Sequence, residues 1–202
     1  GRVVTVDLRP ARRYPAPERA AGAHQAPTMS RIADHLANYA AYHRDGRNVA
    51  THMLGIPLIV LAIQLLLARP VLLDDPAPVT PALAVSAMAV WYYLWLDLRL
   101  GLVMAVLLSL GVVLTEAVAA AFPASRIVLA VGVFVVGWVL QFIGHWFEGR
   151  KPAFFDELVS LLIGPLFIVA EVLFALGLFP ALKQAVAQRA AAQQPPARRQ
   201  AA

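Results

Sequence analysis

Five stretches of this chain, at 53–67, 81–96, 100–122, 127–147 and 158–179, are rich in Leu, Val, Ala and Ile and nearly free of charge. A helix rises about 1.5 Å per residue, so a run of about 20 such residues crosses a hydrocarbon core of about 30 Å. Lipid offers no hydrogen-bond partner, and a helix satisfies its own backbone. The chain therefore reads as all-α: a polytopic helical membrane bundle with four to five apolar spans and an N-terminal amphipathic helix. The count is open by one because 81–96 is short and Gly164-Pro165 interrupts 158–179. Composition agrees, with 14% charged residues and a mean hydropathy of +0.67, far from an ordinary soluble domain.

The flanks divide the 202 residues further. Residues 1–28 mix Pro, Arg and Ala without periodicity and are expected to be a disordered extension. Residues 29–180 are expected to form one membrane helical domain, and 181–202 a basic flexible tail that opens with an amphipathic turn or two. The helical domain would begin with Ser30 as an N-cap and with Ile32, Leu36, Tyr39 and Tyr42 at helical spacing. Asp45-Gly46 then breaks the chain, and a new helix is expected near Arg47. The chain has no cysteine, which excludes disulfides and thiolate metal sites. Its net charge of +5 lies largely in the tails, with no basic stripe interleaved by aromatics, so no nucleic-acid partner is expected and the charge serves orientation and lipid headgroups.

Two polar clusters interrupt this apolar pattern. Gln141, His145 and Glu148 are spaced to share one helix face, as are His35, Tyr39 and His43, and Asn48 and His52 lie one turn apart. Arg31, Arg44 and Arg47 precede the first span, whereas Asp74 and Asp75 follow it, so the N-terminus is expected in the cytoplasm. Counting crossings from there returns His145 and Glu148 to the face that holds His43 and His52. An imidazole and a carboxylate at i and i+3 can hold one metal ion jointly, and ionisable groups at a membrane boundary need partners. A full fifth crossing would export Lys183, Arg189, Arg198 and Arg199, so 158–179 is expected to be broken or re-entrant at Gly164-Pro165. Within the spans, Glu116 is expected to serve a structural hydrogen bond and Trp91 to Trp95 an interfacial belt, while His35 of the N-terminal helix is expected to be packed or interfacial.

The segments YAAYHRDGRNVATHMLGIP (39–57) and QFIGHWFEGRKPAFFDELVSLLIGPLFIVAEVLF (141–174) resemble the membrane-embedded 2-hydroxy fatty acid dioxygenase family. That family includes the fungal endoplasmic-reticulum enzyme of phytosphingosine degradation and many bacterial relatives. The resemblance implies iron(II)-dependent α-oxidation of a long-chain 2-hydroxy fatty acid with O2, giving the acid one carbon shorter and CO2. The expected location is a bacterial inner membrane, with the charge bias facing the active site to the cytoplasm. The resemblance also implies His43, His52 and His145 as metal ligands, with Glu148 as the carboxylate. Tyr42, Asn48 and Gln141 would orient the ligands. Arg150 or Lys151 would pair with the substrate carboxylate, and Glu171 matches a later family glutamate. Arg44 stands where some members carry a second histidine.

Two other classes use similar residues. A transporter or scaffold would use the intramembrane carboxylates as an ion path, yet no inverted repeat relates the halves. A bis-histidine haem protein would need two of the same imidazoles. A desaturase-type di-iron centre is disfavoured by count, since His35, His43, His52 and His145 are the histidines of the apolar part.

Overall fold

The computed structural model describes residues 27–75, 78–149 and 159–193. Within them lie seven helices and no strand beyond one isolated bridge between Leu73 and Val79. The helices are α1 (Pro27–Tyr42), α2 (Gly46–Leu67), α3 (Pro81–Leu96), α4 (Leu98–Ala121), α5 (Arg126–Glu148), α6 (Ser160–Ala175) and α7 (Pro180–Ala192). Of the expected N-terminal extension, all but its last two residues lie outside the described residues, as do Arg150, Lys151 and the end of the tail.

Local chemistry sets most of the boundaries. Asp45 caps α2, its carboxylate accepting from the Arg47 amide at 2.8 Å while pairing with the Arg47 guanidinium. That pairing holds the Asp45 carboxyl down at about 2. Asp97 caps α4 by accepting from Leu100 N at 2.9 Å. Gly149, at φ 68, ends α5 in the left-handed conformation that glycine adopts without strain. The first helix differs from expectation, because α1 starts at Pro27, ahead of the Ser30 cap.

Three helices, α2, α4 and α5, are each long and apolar enough to cross a membrane. α6 and α7 meet at 119° and would make a fourth if they form one broken span, while α3 has 16 residues and is short. The break expected at Gly164-Pro165 is absent: α6 runs through both residues. Pro165 is accommodated within the bundle, and Gly164 is covered by Tyr39 and Ile56. The chain turns instead at Gly177 (φ 77) and Phe179 (φ 55). There Leu178 N donates to Leu173 O and Gly177 N to Phe174 O, a Schellman closure, and Pro180 starts the next helix.

The larger core joins α1, α3, α4, α6 and α7 around Ile32, Leu36, Leu96, Leu100 and Leu166, all essentially inaccessible. α7 is longer than the turn or two expected, because Leu182, Ala185 and Val186 bury a stripe against this core. Two polar links tie it to α1, an ion pair of Arg189 with Asp34 at 2.7 Å and a bond from Gln193 Nε2 to Asn38 Oδ1 at 2.6 Å. α2 and α5 pack along a glycine seam. A Cβ on Gly55 would meet Gln141 Nε2 at 2.3 Å, and one on Gly137 would meet Ile59 Cγ1 at 2.7 Å. Small residues let apolar helices approach closely where burial against lipid offers no hydrophobic gain. At the far end of the pair, Glu116 takes the structural role expected of it, accepting from Arg69 and from Thr80 Oγ1.

Candidate metal centre

The glycine seam brings the two polar clusters into one place. A Cβ on Gly144 of α5 would meet Thr51 Oγ1 at 2.2 Å, Asn48 Oδ1 at 2.4 Å and His52 Nδ1 at 3.1 Å, so only glycine lets the polar turn of α2 lie against α5. His52 comes from that turn of α2, His145 from the last turn of α5, and His43 from the residue after α1. Ring centroids are 4.6 Å apart for His43 and His52, 5.1 Å for His43 and His145, and 4.9 Å for His52 and His145. All three are buried, and each offers one nitrogen so that these atoms lie within 4.8 Å of one another.

Each ring orientation has a cause in the chain. His43 Nδ1 donates to Tyr39 O at 2.8 Å and His52 Nδ1 donates to Asn48 O at 2.9 Å, in each case one turn back. A proton held on Nδ1 leaves the Nε2 lone pair free for a metal. Tyr39 also stacks on His43, with centroids 4.1 Å apart and planes 8° from parallel. Its spacing to His43 was legible in the sequence, but its part in the site was not. Burial pushes the His43 imidazole down to about 4, since its charged form would be desolvated. His43 Nε2 and His145 Nδ1 are buried without a hydrogen-bond partner. Three buried imidazoles facing one another, with His43 Nε2 and His145 Nδ1 orphaned, are costly without a ligand and fit a divalent transition metal.

Glu148 does not join this group. Its Oε2 accepts from Arg44 N at 2.9 Å, Asp45 N at 2.8 Å and Asn48 Nδ2 at 3.0 Å. The carboxylate thereby ties the end of α5 to the turn between α1 and α2, which carries His43. Asn48 is fully buried and serves twice, its side-chain amide donating to Glu148 and its backbone carbonyl accepting from His52. Tyr42 is half-buried at the end of α1, next to His43, and Glu171 lies on α6 outside the cavity wall described below. His35 is apart from the three histidines.

A cavity of ≈ 290 Å³ opens directly off the imidazoles. Its head is lined by His43, His52, His145, Tyr39 and Gln141, and the rest by aliphatic and aromatic side chains of α2, α5 and α6 together with Ser160. That volume is near the lower end of sites for organic ligands, about 300 to 1,000 Å³, and too large for a packing fault. Gln141 Nε2 is buried without a partner, one helix turn from His145. The arrangement suits an amphipathic ligand, with oxygen atoms at the imidazoles and hydrocarbon below.

Comparison with known proteins identifies the family. The chain is 36% identical over 152 residues to the 2-hydroxy-palmitic acid dioxygenase MPO1 of Saccharomyces cerevisiae, an alignment covering 73% of this chain and 83% of the yeast protein. No solved structure matches. Residues 29–176 match the family described as 2-hydroxy-palmitic acid dioxygenase Mpo1-like, a span that contains all three histidines, Glu148 and the cavity. The chain belongs to the 2-hydroxy-palmitic acid dioxygenase Mpo1-like family.

Proposed function

We propose that this chain is an iron(II)-dependent membrane dioxygenase that shortens long-chain 2-hydroxy fatty acids by one carbon. One 2-hydroxy acid and one O2 give the acid shortened by one carbon, CO2 and water, with C1 leaving as CO2 and O2 taking up four electrons. The observation that carries the reading is the convergence of His43, His52 and His145 at the polar head of an otherwise apolar cavity, in a chain of this family. The three imidazoles would hold the iron. When bound, iron supplies the one-electron chemistry through which O2 reacts with a closed-shell acid.

The chain's own residues do the rest. Tyr39 O and Asn48 O fix the protons of His43 and His52 on Nδ1. Glu148, first read as a ligand, acts in this proposal as the strut that holds the His43 turn on α5. Gln141 Nε2, a buried donor without a partner, is placed to bind the carboxylate or 2-hydroxyl of the substrate. Arg150 or Lys151 would draw the carboxylate from the interface, and Tyr42 and Glu171 would support the walls. Membrane lipids surround the bundle, and the positive-inside bias sets the site towards the cytoplasm, in a bacterial inner membrane.

Detergent-purified protein supplied with iron(II) and O2 should convert long-chain 2-hydroxy acids to acids one carbon shorter, with CO2 released, and leave unhydroxylated acids intact. His52→Ala and His145→Ala should lose both iron and turnover. Wild-type turnover with either variant, or no consumption of any 2-hydroxy acid by the wild type, refutes the assignment.

A further inference from the structure

The cavity has a direction. On α2 its lining runs through His52, Ile56, Ile59 and Ile63, and on α5 through His145, Gln141, Trp138 and Phe134, successive turns of two antiparallel helices. On these two helices the strongly polar side chains, His52, His145 and Gln141, lie in the first two turns of the slot. Below Ile63 and Phe134 the helices close on one another, where Leu65, Ala68 and Ala130 form a second small core and Arg126 Nη1 donates to the carbonyls of Leu65 and Leu66. The slot therefore has a head at the histidines and a floor at that core. α6 adds Ser160, Leu161, Gly164 and Pro165 to the wall, with Gly164 against Tyr39 and Ile56. Near its floor Ile63 remains 38% exposed, so the wall is incomplete there.

We infer that this slot measures the acyl chain, with Ile63 and Phe134 as the residues that set the longest substrate accepted. The inference rests on the reading of the site as one for 2-hydroxy fatty acids, and it adds the determinant of length. The occupant follows from the lining: oxygen-binding groups at one end and a narrow apolar course ending in packed side chains fit an unbranched hydrocarbon with a polar head. His145 and Phe134 are eleven residues apart, as are His52 and Ile63. Eleven residues rise about 16 Å, and an extended hydrocarbon with bonds of about 1.52 Å advances about 1.25 Å per carbon, so about thirteen carbons lie below the head.

The test uses wild type, Ile63→Trp and Phe134→Ala in detergent with a series of straight-chain 2-hydroxy acids of graded length. Affinity is read by displacement of a fluorescent fatty acid, turnover by product, and iron content alongside. Ile63→Trp should move the preferred length down by about four carbons, the reach of one helix turn of about 5.4 Å. Phe134→Ala should move it up by two or more, and both should keep wild-type iron. Opposite shifts in the displacement series support the ruler whatever the turnover, because general damage to the fold would weaken all lengths alike. An unchanged length profile in both variants overturns it. Shifted affinities without any turnover would leave the ruler standing and refute the dioxygenase reading instead.

Discussion

Gly144 shows how little freedom single positions have at this site, since one methyl group there would enter the space held by Thr51, Asn48 and His52. Gly144→Ala should cost about 1–3 kcal/mol of stability through overpacking and should lower iron content, because His52 would be displaced with its turn. Denaturant titration with parallel metal analysis reads both. Glu148 gives a sharper contrast. Glu148→Gln keeps a carbonyl oxygen for the amides of Arg44 and Asp45 and should retain most iron and stability. Glu148→Ala removes the acceptor of three donors and should lower both clearly, by about 1–3 kcal/mol in stability. A Gln variant that loses iron completely, with the fold intact, would return the carboxylate to the ligand set. The histidines were legible in the sequence because spacing puts polar groups on one helix face. The direction of the Glu148 carboxylate was not, since i and i+3 spacing fixes a face and leaves open which neighbour the side chain meets.

The elements carry their own tests. Gly177, at φ 77, allows the turn between α6 and α7, and Gly177→Ala should lower the melting temperature by the equivalent of about 1–2 kcal/mol. Gly132 lies in α5 with open space around its Cα, so Gly132→Ala should be neutral or slightly stabilising there. Equal effects of the two would mean that the bend does not depend on glycine. Truncation after Phe179 should uncover the α1 face now buried by Leu182, Ala185 and Val186, and should reduce iron retention because α1 leads into His43. Helix existence was readable from the apolar runs, and the start of α2 from the Asp45-Gly46 break. The α6 break was misplaced because proline and glycine were weighed by local preference, whereas packing against Tyr39 and Ile56 keeps that helix whole and the Gly177–Pro180 signature ends it. The extent of α7 was hidden because a short apolar stripe in an alanine-rich segment gains its stability from α1.

For the whole molecule, charge asymmetry and the parity of crossings were enough to place both histidine clusters on one face, and the fold brings them together at α2 and α5. What the sequence could not supply was the glycine-mediated approach that turns a shared face into contact between rings. Because the chain lacks cysteine, single cysteines report topology directly. Arg44→Cys and Trp146→Cys should react with an impermeant reagent from the same side of the membrane, and Asp75→Cys from the other. Labelling of positions 44 and 146 from opposite sides would exclude the arrangement of α2 and α5.

The partial exposure of Ile63 at the foot of the slot opens it to the surroundings of the bundle, which decides what concentration means for this protein. A ligand arriving from within the bilayer is counted in molecules per lipid, not in molecules per litre. Diluting the substrate with inert lipid at constant total amount should therefore slow the reaction, while diluting the whole suspension with buffer should hardly change the rate per enzyme. Such surface-dilution behaviour would make neighbouring lipids competitors for the slot, and would tie the rate to the composition of the membrane.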